Sequence, residues 1–281
     1  ANHPDYFFVA LLNSVIGSEG KTFEYLQEAK NHNVGILGPS VNKSRDRYYL
    51  DNDSIRFPLQ IIKGIGTVLS KEILLEQHKG IFKDYYDFVV RMNTHRISKV
   101  NFESLIDAGA LDEFNLSRNT MKASLQDALN YADMIKIEKN QQISIDTSLV
   151  KPLDLIVVPD HALERVENER AVIAFYLSDH PLIYIKKKYN NLNSIALLNI
   201  SNTNQSFIAM IKKIKQHRTK TGSLMAFIQV YDESGDMDCV LMPNQYQMIA
   251  DQLKINALVK VEGLVEKEKS CLVKKIDMIE R

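Results

Sequence analysis

Apolar side chains recur at helical spacing through the first two-thirds of the chain and alternate with polar ones in the last third. His3-Pro4-Asp5 leads into the apolar run Tyr6 to Ile16, which reads as a helix with proline in its first turn, closed near Gly17-Ser18-Glu19-Gly20. Phe23, Leu26 and Ala29 mark a second helix that fades at Asn31-His32-Asn33, before an extended stretch from Val34 to Pro39. Arg47-Tyr48-Tyr49-Leu50 and Ile55-Arg56-Phe57 predict a β-hairpin around the polar turn Asp51-Asn52-Asp53-Ser54. From Leu59 the helical period returns, at Ile61 to Lys63, Val68 to Gln77, Tyr85 to Met92, Lys99 to Asp107 and Ser117 to Glu138. Breaks fall at Gly64-Ile65-Gly66, Lys79-Gly80, Asn93-Thr94 and Ala108-Gly109-Ala110. Residues 141–160, with Pro152 and Pro159, read as linker, and His161 to Ala174 as a further helix.

After Asn190 the period changes to two. Strands are predicted at Phe207 to Lys215, Leu224 to Tyr231, Met237 to Leu241, Ala257 to Val265 and Cys271 to Ile279, with a helix at Gln245 to Leu253. Turn signals at Lys220-Thr221-Gly222 and Asp232-Glu233-Ser234-Gly235 join the first three strands as a meander. Five strands with a helix between the third and fourth is the order of an OB barrel. The chain is therefore predicted to be a multidomain α+β protein, a helical region followed by a five-stranded OB-fold β-barrel.

Composition narrows the function classes. With 281 residues, 45% hydrophobic and 25% charged, the chain can bury substantial cores. Lys plus Arg and Asp plus Glu both number 35, so any nucleic-acid contact must come from local patches rather than from a net basic field. The run Phe7 to Ile16 is too short to cross a bilayer core of about 30 Å, and no membrane partner is expected. Ala1-Asn2-His3-Pro4-Asp5 lacks the cationic start of a secretory signal, and a chain opening at Ala1 is expected to be a piece cut from a longer protein. Cys239 and Cys271, without a CxxC pair, are expected as buried thiols in a reducing compartment, with neither disulfide nor zinc.

Three stretches carry candidate chemistry. Ile61-Ile62-Lys63-Gly64-Ile65-Gly66-Thr67 sets a hydrophobic residue between two glycines, the arrangement of a helix-hairpin-helix. Glycines let the backbone turn tightly against a phosphate, the next helix offers free N–H groups and a partial positive charge, and Lys63 adds a point charge. An ordinary helix-loop-helix corner is the alternative. Leu105 to Asp112 is a weaker copy, with one glycine and with Asp112 where a phosphate would be repelled, so its expected role is structural. On the first barrel strand and its turn, Lys212, Lys213, Lys215, Arg218 and Lys220 fall close together with His217 among them and no acid. Such a patch suits a polyphosphate backbone, or it is the lysine guard of a solvated edge strand. On the second strand Leu224, Ala226, Ile228 and Val230 share one face and Met225, Phe227, Gln229 and Tyr231 the other. If the aliphatic face fills the barrel, Phe227 and Tyr231 become platforms for unpaired bases; otherwise Phe227 packs under a helix.

Sharper chemistries find little support. Asp51-Asn52-Asp53 opens like a calcium loop, but Arg56 and Ile62 stand where glycine and glutamate are needed. Asp236 and Asp238 share a strand face, as two-metal phosphoryl transfer requires, without a third carboxylate to join them. No HExxH, Walker-type loop or GxSxG occurs, and no catalytic residue is assigned.

These residues together resemble the C-terminal part of the bacterial DNA polymerase III alpha subunit of the DnaE type. His3-Pro4-Asp5-Tyr6-Phe7 with Ala10-Leu11-Leu12 looks like the family's end-of-fingers helix, and Val34 to Ser44, with Pro39, Val41, Asn42 and Ser44, like the loop after it. Ile55-Arg56-Phe57 through Gly66 is similar to the start of its tandem helix-hairpin-helix domain, and Ala174 to Leu182 to the motif preceding its OB domain. The resemblance implies an end-of-fingers region at 1–57, a tandem helix-hairpin-helix domain at 58–140, a linker at 141–190 and an OB domain at 191–281. It implies duplex DNA held at Lys63, Gly64, Ile65, Gly66 and Thr67, and single-stranded template at Lys212, Lys213, Lys215, Arg218, Lys220, Phe227 and Tyr231. The family's catalytic aspartates, with their Mg2+, lie in a palm domain upstream of Ala1. This segment is thus expected to need no cofactor and not to polymerise alone, although its parent would be a cytoplasmic DNA-directed DNA polymerase. The family docks on the β sliding clamp through a short Gln-containing peptide, whose position is taken here by Gln142-Ile143-Ser144-Ile145. Asp146 follows where a large apolar residue is usual, and a plain linker is the alternative. Two rival readings stand beside this one: a scaffold for the clamp or other replisome proteins, and a metal nuclease using Asp236 and Asp238.

Overall fold

The computed structural model describes residues 3–95, 97–139, 142–148, 150–190, 192–267 and 269–280. The chain divides into two compact units, Ala1–Ser178 and Asp179–Arg281.

In the first unit, helices α1 (Pro4–Ser14) and α2 (Glu19–Asn31) precede a small sheet of β1 (Gly35–Leu37), β2 (Tyr49–Asp51) and β3 (Ser54–Arg56). β3 lies between the other two, parallel to β1 and antiparallel to β2. Asn52 and Asp53 both have positive φ, which gives the two-residue hairpin its twist, and Arg56 closes it with an ion pair to Asp51 at 2.7 Å. The acids that open like a calcium loop are this turn. Helices α3 (Thr67–Lys79), α4 (Tyr85–Asn93), α5 (Lys99–Asp107), α6 (Arg118–Ala123) and α7 (Leu125–Met134) follow. Asp84, Ser98 and Ser117 cap α4, α5 and α6 by accepting from the backbone N–H three residues on.

Two helical expectations are corrected. Ile61 to Lys63 is not helical: after Pro58 a single 3-10 turn spans Leu59–Ile61, and Ile62 is already extended. The long helix expected over Ser117 to Glu138 breaks at Ser124, whose hydroxyl accepts from the Ile156 N–H, and ends at Met134. Strand β4 (Lys136–Lys139) follows and pairs antiparallel with β5 (Gln142–Ile145).

Residues 150–160, expected as linker, are laced onto the helices. The Thr120 hydroxyl donates to the Val158 carbonyl and accepts from its N–H, Tyr86 donates to the Leu153 carbonyl, and Asp160 accepts from the Arg118 and Asn119 amides. The cause is the demand of α6's first amides for acceptors, which Asp160 meets. Helix α8 (Ala162–Ile173) completes the unit. One apolar core runs from Phe8 and Leu12 through Phe57, Ile65, Ile73, Phe88, Phe102 and Leu125 to Phe175. The regions expected at 1–57 and 58–140, and residues 155–177 of the one expected at 141–190, therefore share a single core.

The second unit begins with helix α9 (Pro181–Lys188), followed by β6 (Gln205–Arg218), β7 (Leu224–Tyr231), β8 (Asp236–Leu241), helix α10 (Pro243–Ile249), β9 (Leu258–Lys267) and β10 (Ser270–Met278). The strands close into a barrel in the order β10-β8-β7-β6-β9, the β10–β8 contact being parallel. This is the expected five-stranded OB barrel with a helix between its third and fourth strands. Phe207, Ala209 and Ile211 of β6, Ala226, Ile228 and Val230 of β7, and Val259 and Val261 of β9 fill it. Cys239 and Cys271 are register partners across the closing contact, both buried and free. The hydrogen bond between them and burial push the Cys239 thiol up.

Candidate nucleic-acid interface

The hairpin of the first unit is built around Gly64, whose φ of +86° is a backbone state that L side chains rarely adopt. Its carbonyl accepts from the Asn101 side-chain amide at 2.8 Å, and a Cβ at Gly64 would lie 3.2 Å from that nitrogen. Ile65 is buried and closes the turn through its N–H to the Ile62 carbonyl at 2.9 Å. Gly66 is the N-cap of α3 and brings no side chain to the helix's first amides, and no acid stands in its first turn. Lys63, Gly64, Gly66 and Thr67 are exposed. A thirteen-residue helix thus presents free N–H groups and the positive end of its dipole at the surface beside Lys63.

The second hairpin candidate does different work. Asp112, though exposed, is occupied: it holds the buried Arg118 guanidinium at 2.7 Å, which also donates to the Asp107 carbonyl and meets Glu169 at 3.4 Å. The Arg118 side chain passes directly against Gly109, where a Cβ would collide with it.

On the barrel, a bulge between Ile211 and Lys213 of β6 shifts the inward set from Phe207, Ala209 and Ile211 to Ile214. Gln216, on the same side as Ile214, donates to the Tyr246 hydroxyl at 2.5 Å. Lys213, Lys215 and His217 therefore alternate on the outer face, opposite Gln229, Phe227 and Met225 of β7. Phe227 is 44% exposed, with the His217 ring 6.1 Å away. The aliphatic face of β7 fills the barrel, which leaves Phe227 outside. Beyond Ile211, whose backbone still bonds Asn256 and Ala257, β6 pairs in register with β7 alone, so this half of the strand is also an edge.

The rest of the predicted patch separates. Lys212, the bulged residue, pairs with Asp236 at 2.5 Å. Arg218 donates to the Gly222 carbonyl at 3.4 Å, and Lys220 lies in the turn between β6 and β7. Tyr231 is not a platform: it is half-buried, its ring edge meets His180 at 5.6 Å, and its hydroxyl donates to Asn256 at 3.3 Å. The reason is that His180, at the start of α9, sits over this end of the strand. Asp236 and Asp238 do share the outer face of β8, but the first is neutralised by Lys212. Among the described residues no cluster of three or more His, Cys, Asp or Glu side chains could hold a metal.

Of the expected clamp peptide, residues 142–145 form strand β5, and the side chain of Gln142 lies outside the described residues. Ile143 and Ile145 share one face of the strand and are 40% and 39% exposed. The Ser148 hydroxyl and amide hold the Asp146 carboxyl below its usual range.

Sequence reasoning missed Asn101 and assigned no role to His217. Asn101 follows the Ser98 cap and looks like an ordinary helix residue; only its bond to Gly64, 37 positions away, sets it apart. For His217 the alternation Lys213, Lys215, His217 was a usable signal once the bulge is allowed for.

A helix-hairpin-helix motif family matches residues 33–121, and an OB-fold nucleic acid binding domain family matches residues 206–278. The chain is thus a nucleic-acid-binding protein with one domain of each kind. It is homologous to the DNA polymerase III alpha subunit. DNA polymerase III subunit alpha of Bacillus subtilis (strain 168) is 34% identical over 95% of this chain, and that of Staphylococcus aureus (strain MSSA476) is 31% identical over 95%. The match takes in 24% and 25% of those proteins, so the chain spans about a quarter of their length. Among solved structures, a mitochondrial single-stranded DNA binding protein of S. cerevisiae aligns to 30% of this chain and 99% of its own, with 15% identity and a TM-score of 0.25. No helix among the described residues is long and apolar enough to cross a membrane.

Proposed function

We propose that this chain is a DNA-handling segment of a bacterial replicative polymerase, working in the cytoplasm as part of a larger DNA-directed DNA polymerase whose Mg2+-dependent chemistry belongs to its palm domain. The hairpin at Lys63 to Thr67 grips duplex phosphates through the free amides of α3. The outer face of the barrel takes unpaired template, with Lys213 and Lys215 on its phosphates and Phe227 under a base. The observation that carries this reading is the register Lys215–Phe227. It alternates cations with an exposed ring on the sheet of the barrel's first three strands, the chemistry a single strand needs.

The test is fluorescence anisotropy on single-stranded and duplex DNA over a salt series, with the whole chain beside a Lys213→Ala/Lys215→Ala variant. The expected result is a single-strand slope lowered by about 0.7 for each phosphate that the variant leaves unneutralised, with the duplex slope unchanged. An unchanged single-strand slope would leave these lysines as guards of an edge strand.

The exposed Ile143 and Ile145 favour a second role, docking of the β5 strand on the sliding clamp. Ile143→Ser/Ile145→Ser should weaken capture by immobilised clamp while leaving DNA affinity alone.

A further inference from the structure

The first unit carries a second group of cations beside the hairpin. The loop between β1 and β2 reads Asn42-Lys43-Ser44-Arg45-Asp46-Arg47, and the side chains of Lys43, Arg45 and Arg47 are all exposed. Among the described residues none of the three has an ion-pair partner; Arg45 lies over the Tyr49 ring, 4.0 Å from its centroid. Asp46 is the one acid of the loop, and Asp51 nearby is occupied by Arg56.

The backbone of this loop is held at every second or third residue. The Asn42 side-chain amide donates to the Phe82 carbonyl and accepts from the Phe82 N–H, at 2.8 and 2.7 Å. The Ser44 hydroxyl donates to the Phe57 carbonyl at 2.6 Å, and the Tyr49 hydroxyl to the Lys43 carbonyl at 2.5 Å. The loop borders an open cleft of about 780 Å³ whose lining includes Gln77 and His78, near the end of α3. Unpaired cations on an anchored backbone lose less freedom on meeting an anion than cations on a floppy loop.

One side chain joins this loop to the hairpin. Gln60 donates from its amide to the Asp46 carbonyl at 2.7 Å, and its carbonyl accepts from the Thr67 hydroxyl at 3.3 Å. Thr67 is the first residue of α3, so the cationic loop and the free amides of that helix lie on either side of a single glutamine. We propose that Lys43, Arg45 and Arg47 extend the hairpin's phosphate site into one track along the backbone of duplex DNA, with Gln60 as the residue that positions the two halves. This rests on the reading of the hairpin as a duplex grip and lengthens its footprint. The contacts are to phosphate, so they add affinity and salt dependence without sequence preference.

The experiment measures binding of the whole chain to a short fluorescein-labelled duplex and to the matching single strand, by anisotropy over a salt series. Its variants are Arg45→Ala/Arg47→Ala, Arg47→Glu, Gln60→Ala and Lys63→Ala. The double arginine variant is expected to lower the duplex salt slope by about 0.9 for each phosphate it no longer neutralises and to leave the single-strand slope unchanged. Among the described residues Arg47 has no ion pair for a substitution to disturb, so Arg47→Glu, expected to weaken duplex binding more than an alanine there, guards against a folding artefact. Gln60→Ala should weaken duplex binding several-fold. If Lys63→Ala lowers the duplex slope while the double arginine variant keeps the full slope, the track is wrong and the hairpin grip stands. If the whole chain fails to bind duplex at low salt, or Lys63→Ala and the double variant both leave the slope unchanged, the track and the reading beneath it fall together.

Discussion

Lys215 of β6 and Phe227 of β7 face each other across the barrel's first hairpin, on the outer side of the sheet, with Lys213 and His217 two residues to either side. A cation next to an exposed ring can hold a phosphate while its base lies on the ring. Phe227→Ala should therefore weaken single-strand binding by roughly 1–3 kcal/mol, the usual worth of one stacked base, whereas Phe227→Trp should preserve it. Anisotropy on a single-stranded oligonucleotide checks both. Equal losses for the two variants would deny stacking.

Gly66 caps α3 without a side chain, and a Cβ there would meet nothing. Gly66→Ser supplies a hydroxyl for the amide of Val68 or Leu69, so stability should stay level or rise by a few tenths of a kcal/mol. The same hydroxyl competes with phosphate for those amides. Duplex affinity should fall while the melting temperature does not, a split that ordinary damage to the fold cannot produce. Gly64→Ala differs: its φ of +86° and the nearby Asn101 make it costly, by about 1–2 kcal/mol, and a melt should show it.

Asp236 and Lys212, each 40% exposed, neutralise one another. Asp236→Asn should change stability by less than about 1 kcal/mol. It should also release Lys212 for DNA, steepening the single-strand salt slope by about 0.7. A nuclease reading demands the reverse outcome, Mg2+-dependent cleavage that this substitution abolishes. Incubating labelled DNA with both proteins separates the two.

Asp232 is buried against Lys186 at 2.6 Å, with side chains 0% and 6% exposed. Burial pushes the Asp232 carboxyl up, but hydrogen bonds from Lys186, Ser234 and the Ile195 amide outweigh it and hold the group below its usual range. A depressed carboxyl adds stability above its unfolded value of about 3.9 and loses it as pH falls through the folded one. The second unit should therefore lose stability below about pH 4, and Asp232→Asn should flatten that limb. Lys186→Met strands the buried carboxylate and should cost about 3–5 kcal/mol near neutral pH, read by urea denaturation.

Much of this molecule was legible from residue order. Helix α5 and strand β7 begin and end where their patterns do, because Ser98 caps the one and Leu224 to Tyr231 alternates without interruption. The barrel's strand count, its helix and the glycine hairpin follow from the same local signals. Period and capping act over a few residues, and those residues are adjacent in the chain.

The remainder depended on partners far away in sequence. Ser124 breaks a helix where it accepts from Ile156, β4 exists because β5 returns to pair with it, and residues 150–160 are ordered by the amides and hydroxyls of α6. Which cations of the patch stay available was decided by a bulge at Lys212 and by Asp236, 24 positions on; whether Tyr231 could stack was decided by His180. A sequence pattern specifies which face a side chain takes, since that is a property of the local backbone. What waits on that face, an ion partner, a covering helix or open water, is set by long-range packing, and only the tertiary structure decides it.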